Sequence, residues 1–300
     1  MTTMTTTWSP DFIGIGAMKA ATYWLYTCLE AHPEICMSSK KEVHFFNVPT
    51  NYRKGIKWYE SFFSNCDEMT KRGEITPVYL STPGVARLIH QHYPHVKLIA
   101  SLRHPVDRAY SHYRFNVIRK GHMTVYDSFE DALNQEEELV AEGMYSKQLK
   151  EYYDAFPRKN IKIILYDDIQ SDPGAVIRDL FTFLEVDNTF AHESATEKRG
   201  VTGKKKMEYK LPLVNPIMYY MRGRIRGGVL DKALTATGLK KRLLTLAQKN
   251  RRLVEVTADD RSTRFPPLTD DIYAKLTPIF AKDIKELELI LGRDLQSWLD

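Results

Sequence analysis

Short apolar runs that break off into glycine, proline or a charged turn, each followed by a helical pattern, constrain this chain most. The run 11–16 (DFIGIG) ends in glycines, and residues 20–31 then keep a helical pattern until His32-Pro33 stops it. The run 96–102 (VKLIASL) is followed by Pro105 at a helix start and a periodic stretch over 106–118. The run 161–166 (IKIILY) precedes Asp172-Pro173, an N-cap and first-turn pair opening a helix that reaches about Leu184. Residues 73–77 read as a further strand, and 85–93, 128–141 and 146–156 as further helices. Strands alternating with helices predict a parallel sheet covered by helices on both faces. From 269 to 298 the residues Ile272, Leu276, Ile279, Phe280, Ile284, Leu287 and Leu291 keep helical spacing, so an amphipathic helix is expected there.

Composition removes several classes. An aromatic content of 11% is too high for long disordered tracts, and no apolar run reaches the roughly 18 residues of a membrane span. The threonine-rich first ten residues lack the basic-then-apolar order of a secretory leader. The three cysteines (Cys28, Cys36, Cys66) contain no CxxC pair and read as reduced thiols, not as a disulfide frame or zinc site, so a cytoplasmic chain is expected. His90, His92 and His95 flank a proline without a neighbouring cysteine or carboxylate, and no metal is expected. Charge is segregated: residues 204–252 hold fourteen Lys or Arg against Glu208 and Asp231, a net +12, so the remaining chain carries −7. Such a stretch suits an anionic ligand, a membrane surface or nucleic acid, or else a solvated face.

Two turns carry chemistry. The segment Gly14-Ile15-Gly16-Ala17-Met18-Lys19-Ala20-Ala21-Thr22 joins the first strand to the first helix, where backbone N–H groups and the positive helix end face one point. Lys19 adds a cation and Thr22 a hydroxyl. Met18 stands where the Walker A pattern needs glycine, and the strand 96–102 leads into Arg103 where a Walker B aspartate would stand. A magnesium-dependent NTPase is therefore disfavoured. Arg103-His104-Pro105-Val106-Asp107-Arg108-Ala109-Tyr110-Ser111 supplies a guanidinium and a hydroxyl at the end of another strand, where open α/β sheets bind ligands. Alternatively, Arg103 and Asp107 form a helix-start ion pair and Ser111 is a plain surface residue.

GxxKAAT after the first strand, KEVHFFN at 41–47, NYRKGIKWY at 51–59 and LRHPVDRAYSHY at 102–113 together resemble the PAPS-dependent sulfotransferases. The likeness is greatest to the heparan-sulfate N- and 3-O-sulfotransferases and their bacterial relatives. It covers about residues 10–206 and returns in the C-terminal helix. The resemblance implies an α/β fold with a P-loop-like parallel sheet flanked by helices on both faces, and a helical, basic C-terminal portion. It implies one sulfotransferase domain over residues 1–300: a core at about 10–206, a basic, acceptor-side segment at 207–265 and a C-terminal helix at 266–300. The cofactor implied is 3′-phosphoadenosine 5′-phosphosulfate (PAPS), with PAP as product and no metal.

Residue by residue, Lys19 matches the contact to the bridging oxygen, with Thr22 and the loop at Gly16, Ala17, Met18, Ala20, Ala21 and Tyr23 around the 5′-phosphosulfate. Arg103 and Ser111 match the pair on the 3′-phosphate. Gly200-Val201-Thr202-Gly203-Lys204 resembles the late loop that closes over the nucleotide, and Tyr145 aligns with a tyrosine near the cofactor. Glu42 matches the catalytic base of the E-x-H-F-F motif, and His44 would touch the acceptor or orient Glu42. Alternatively, Glu42 is an exposed acid paired with Lys40 or Lys41. Three departures stand out. Ala20-Ala21-Thr22 replaces a Gly-Thr pair, Ile75 stands where the relatives' E-K-S-P motif has lysine, and the late loop lacks its proline. The acceptor implied is a glycan, glycolipid or small molecule; nucleic acid is not expected, and the basic segment suits peripheral contact at the inner membrane. The alternatives are a P-loop kinase or NTPase, and a non-catalytic binder of anionic surfaces.

Overall fold

A computed structural model describes residues 8–120, 128–191, 205–209, 251–255, 265 and 267–299. The chain forms two compact units, one of Met1–His112, Glu136–Gly200 and Leu268–Asp300, the other of Tyr113–Gln135 and Val201–Pro267.

The first unit is built on a five-stranded sheet of β1 (Phe12–Gly16), β2 (Ile35–Met37), β3 (Lys71–Ile75), β4 (Lys97–Leu102) and β5 (Ile161–Leu165), in the order β2-β3-β1-β4-β5. Every neighbouring pair is parallel. The central strand β1 is buried at all five residues, which explains why its sequence is a continuous apolar run. Parallel pairing forces crossover connections. They are supplied by α1 (Thr22–Glu30), the short α2 (Pro49–Tyr52) and α3 (Ile56–Glu60), α4 (Val85–His92), α5 (Pro105–Lys120) and later α8 (Tyr145–Ala155), while α9 (Tyr166–Ser171) and α10 (Pro173–Leu184) follow the last strand. Phe12, Trp24, Leu25, Leu29, Ile75, Ile99, Leu180 and Phe181 share one core cluster between sheet and helices. The predicted parallel sheet with its helical cover is thus the fold.

Several ends are set by the signals read from sequence. Asp172 accepts the Ala175 N–H at 2.8 Å and caps α10 behind Pro173. The C-terminal helix spans Asp270–Leu291 and stops at Gly292, whose φ of 62° suits glycine. It buries Leu276, Phe280, Ile284 and Leu287, whereas Ile279 is exposed. The expected helix 128–141 is instead two, α6 (Phe129–Gln135) and α7 (Glu137–Ala141), broken at Glu136. Phe129 and Ala132 are buried in the second unit and Leu139 in the first.

The reduced-thiol reading is corrected for two of the three cysteines. Cys36 on β2 and Cys66 are joined in a disulfide, with Cα atoms 5.7 Å apart across 30 residues of sequence. The pairing depends on the fold bringing the turn after α3 beside β2, where Ser39 N–H donates to the Phe62 carbonyl at 2.9 Å. Cys28 is a buried thiol.

In the second unit Tyr113 packs on Phe129 and Phe265, and Arg114 lies over the Phe265 ring. The strands β6 (Lys205–Tyr209) and β7 (Arg251–Glu255) pair antiparallel, in a stretch where no strand was read from sequence. Among the described residues no helix is long and apolar enough to cross a membrane.

Candidate active site

Three turns lie at the carboxyl ends of the parallel strands, one after β1, one after β4, and one after β2 that packs on the residues following β3. The β1–α1 turn owes its shape to glycine. A Cβ on Gly16 would lie 2.5 Å from Leu80 Cβ, and one on Gly14 would lie 2.6 Å from Ile75, so only a bare backbone fits. Lys19 (φ 73°) and Ala21 (φ 63°) are both left-handed, a curvature that turns successive N–H groups inward. Ala21, the N-cap of α1, places no side-chain hydrogen bond on the first-turn amides. Those donors suit an anion. Thr22 is buried in that turn and Tyr23 is 48% exposed.

The β1–α1 turn is tied to the end of β4. Ala17 N–H donates to the Ser101 carbonyl at 2.7 Å, and Ser101 Oγ donates to the Ala20 carbonyl. Two residues past Ser101 stands Arg103, so both anion-directed turns lie side by side. The Arg103 guanidinium sits over the Tyr166 ring at 4.7 Å. Its Nε is buried with no hydrogen-bond partner among the described residues, the Asp107 carboxylate being 3.9 Å away. The helix-start ion pair is therefore present but long, and Tyr273 OH donates to Asp107 at 2.8 Å from the C-terminal helix.

Tyr145 is buried, and its hydroxyl donates to the Arg103 carbonyl at 2.8 Å, bracing the turn through its backbone. Arg108, fully buried, fastens α5 to Glu142 at 2.8 Å and to the Leu139 carbonyl. Ser111 is half-buried on the same helix. Gly200, Val201, Thr202, Gly203 and Lys204 lie outside the described residues, as does most of the basic segment.

The third turn carries Glu42 and His44, both left-handed, at φ 58° and 57°. Lys41 Nζ contacts Glu42 Oε1 at 2.7 Å and lies over the rings of Tyr23 and Tyr26 at 5.6 and 5.7 Å, linking this loop to α1. The pairing with Lys41 expected of a plain surface acid therefore exists, but so does more. His44 Nε2 is 3.6 Å from Glu42 Oε2, and its Nδ1 is 3.3 Å from Asn47 Oδ1. The His44 imidazole, assisted by Lys41 against the cost of partial burial, holds the Glu42 carboxyl down to about 2. Reciprocally, Glu42 raises His44. Phe45 and Phe46 point into an aromatic core with Tyr59, Tyr79 and Tyr93, as core residues should.

Sequence reading missed Asn47, Tyr166, and above all Glu74, a fully buried carboxylate behind the loop. Ile75, in the place of the relatives' lysine, is buried in the core cluster. Among the described residues no His, Cys, Asp and Glu group could hold a metal ion.

A sequence model of the family described as "Sulfotransferase domain" matches residues 9–207. A membrane-associated sulfotransferase, kil1, of Dictyostelium discoideum is 35% identical over 137 residues, 44% of this chain and 29% of that protein. Heparan sulfate glucosamine 3-O-sulfotransferase 5 of Mus musculus is 30% identical over 188 residues, 59% of this chain and 54% of that one. The chain spans about half or less of the length of these curated relatives. The crystal structure of a sulfotransferase from Alicyclobacillus acidocaldarius superposes with a TM-score of 0.68 at 25% identity, covering 97% of this chain and 99% of that one. With a family match over about two thirds of its length and the corresponding fold, the chain belongs to the sulfotransferase domain family.

Proposed function

We propose that this chain transfers a sulfuryl group from PAPS to a hydroxyl or amine of a glycan, lipid-linked or small-molecule acceptor. One observation carries the reading: two anion-accepting turns on adjacent parallel strands, fastened by the Ala17–Ser101 bond, one of which offers a buried Arg103 Nε without a hydrogen-bond partner among the described residues. A nucleotide with phosphates at both ends of its ribose suits such a pair. The glycine-shaped turn, the first-turn amides of α1, Lys19 and Thr22 would hold the 5′-phosphosulfate; Arg103 and Ser111 would hold the 3′-phosphate.

When bound, PAPS supplies an activated sulfuryl group whose sulfur–oxygen bond to phosphate breaks as the acceptor atom bonds to sulfur. Around that exchange the chain's own groups do the work. Lys19 and the α1 amides neutralise charge that collects on the departing phosphate. Glu42 receives the acceptor's proton. Held at about 2, it is ionised throughout the neutral range, but it is a weak base. The proton therefore moves as the new bond to sulfur forms and acidifies it. His44 beside Glu42 keeps that carboxylate turned and stabilises its charge. Residues 207–265 are assigned to the acceptor side. In the same reading that segment gives the chain a salt-sensitive hold on anionic membrane surfaces, while the Cys36–Cys66 bond removes the reduced-thiol argument for the cytoplasm.

The test is incubation with radiolabelled PAPS and separate panels of glycans, glycolipids and aryl alcohols. Lys19→Ala and Glu42→Gln each reduce labelled product about tenfold or more; undiminished transfer in both would end this mechanism. In calorimetry Arg103→Ala weakens PAP binding about tenfold. Turnover of ATP with Mg²⁺, without affinity for PAP, would assign the same turns to NTP chemistry instead. Salt-insensitive liposome binding, or none, would remove the membrane contact.

A further inference from the structure

We propose that Glu74 is the positioning residue of this site: its buried carboxylate fixes the direction of the hydrogen bonds that hold the Glu42–His44 loop in shape. The inference rests on the reading of Glu42 as the proton acceptor.

Glu74 is the penultimate residue of β3 and is 0% exposed. Strand alternation sends Ile75 into the core cluster with Phe12 and Trp24 and sends Glu74 to the opposite face, against Tyr59. An ionised carboxylate can only accept hydrogen bonds. Thr76 Oγ1 donates to Glu74 Oε2 at 2.6 Å and Tyr59 OH to Oε1 at 3.4 Å, and the Tyr79 hydroxyl and the Val43 N–H lie near enough to favour the ionised carboxylate.

The Thr76 hydroxyl has one proton, and with that proton directed at Glu74 its lone pairs face the loop. Thr76 Oγ1 accepts the His44 N–H at 3.4 Å, and Tyr79 OH accepts the Phe45 N–H at 2.9 Å and the Phe46 N–H at 3.5 Å. The His44 amide therefore ends on Glu74 through the Thr76 hydroxyl, and the next two amides end on the Tyr79 hydroxyl beside it.

The loop requires such an anchor. Glu42 and His44 both occupy the left-handed region, which non-glycine residues hold only when their surroundings impose it. A glutamine at position 74 would fill the same space, but its NH₂ group must donate. It would turn one relay around and set a hydroxyl proton against a loop N–H. Burial pushes Glu74 up to about 7. A carboxyl kept in so unfavourable a place, where it ionises only as pH rises through that value, fits a role at the site.

Amide hydrogen exchange on the full chain tests this without an acceptor. Thr76→Val exposes the His44 amide, Tyr79→Phe exposes Phe45 and Phe46, and Glu74→Gln lowers protection of residues 43–46 together by about tenfold, with β1 and β4 unchanged. Glu74→Gln also lowers transfer from radiolabelled PAPS about tenfold without changing PAP affinity, and adds little in a Glu42→Gln background. Unaltered loop exchange in Glu74→Gln, or losses that simply add to those of Glu42→Gln, would overturn the proposal. Should Glu74→Gln fail to fold, the amide-specific pattern of the other two variants decides, and its absence counts against the relay. If Glu42→Gln alone leaves transfer intact, the base assignment falls while the exchange pattern still decides the role of Glu74.

Discussion

At Glu42 the neighbouring imidazole holds the carboxyl down to about 2, whereas desolvation lifts Glu74 to about 7, and the two shifts act on stability in opposite senses. For Glu42 the stabilisation is present above its ordinary value near 4.5 and is lost as pH falls through about 2. It is small, since the side chain is 40% exposed. For Glu74 the sign reverses: the folded state binds a proton that the unfolded chain has released, so stability is full below about 4.5 and declines as pH rises through about 7. The groups facing Glu74 are Tyr59 from α3, Thr76 and Tyr79 after β3, and the Val43 N–H, with His44 near enough to feel its charge. We expect wild type to lose melting temperature relative to Glu74→Gln across that interval, while its turnover climbs as the ionised form completes the relays. Melting and rate profiles that run parallel for the two proteins would exclude this. Glu42 was legible in its E-x-H-F-F setting. Glu74 was not, because strand periodicity assigns a face but cannot reveal that Tyr59, Tyr79 and a loop amide converge on it.

Secondary structure was most legible where one element answers to one local rule. The runs behind β1, β4 and β5 are apolar because both faces are covered, and Asp172-Pro173 opens α10 by capping chemistry alone. The edge strand β2, only three residues long, has no such signal, since its pairing to β3 is decided by the rest of the sheet. Its partner across the disulfide was hidden for the same reason. That bond closes a loop of 30 residues and fastens the strand from which the Lys41–Glu42 loop departs. Replacing Cys36 and Cys66 by serine therefore costs about 3 kcal/mol in urea unfolding. The same variant loosens the loop, so turnover falls by more than PAP affinity does. A double-serine protein as stable and active as wild type would show that β2 is held by its sheet pairing alone.

At the scale of the first unit, the C-terminal segment reaches back to the nucleotide turn. Its amphipathic spacing foretold a packed helix, and Asp283 indeed accepts the Ser146 N–H at 3.1 Å at the start of α8. What spacing could not foretell is the tail beyond Gly292. Trp298 is buried at 2% exposure, its Nε1–H donates to Asp167 at 2.7 Å, and its carbonyl lies 3.1 Å from His104 Nε2. Asp167 follows Tyr166, the ring beneath the Arg103 guanidinium, and His104 follows Arg103 itself. The tail thus holds both sides of the turn assigned to the 3′-phosphate, together with Tyr145 behind it. Trp298→Phe keeps most of the buried ring but removes the N–H, leaving the Asp167 carboxylate short of a donor. Arg103 then loses orientation without losing its charge. PAP binding should weaken about threefold to tenfold in calorimetry, by the loss of about one hydrogen bond's worth of order. Adenosine 5′-phosphosulfate, which lacks the 3′-phosphate, should bind both proteins equally. If affinity for PAP is unchanged while the melting temperature drops, the tail serves packing only; if both nucleotides weaken alike, it supports the whole sheet end and not the arginine.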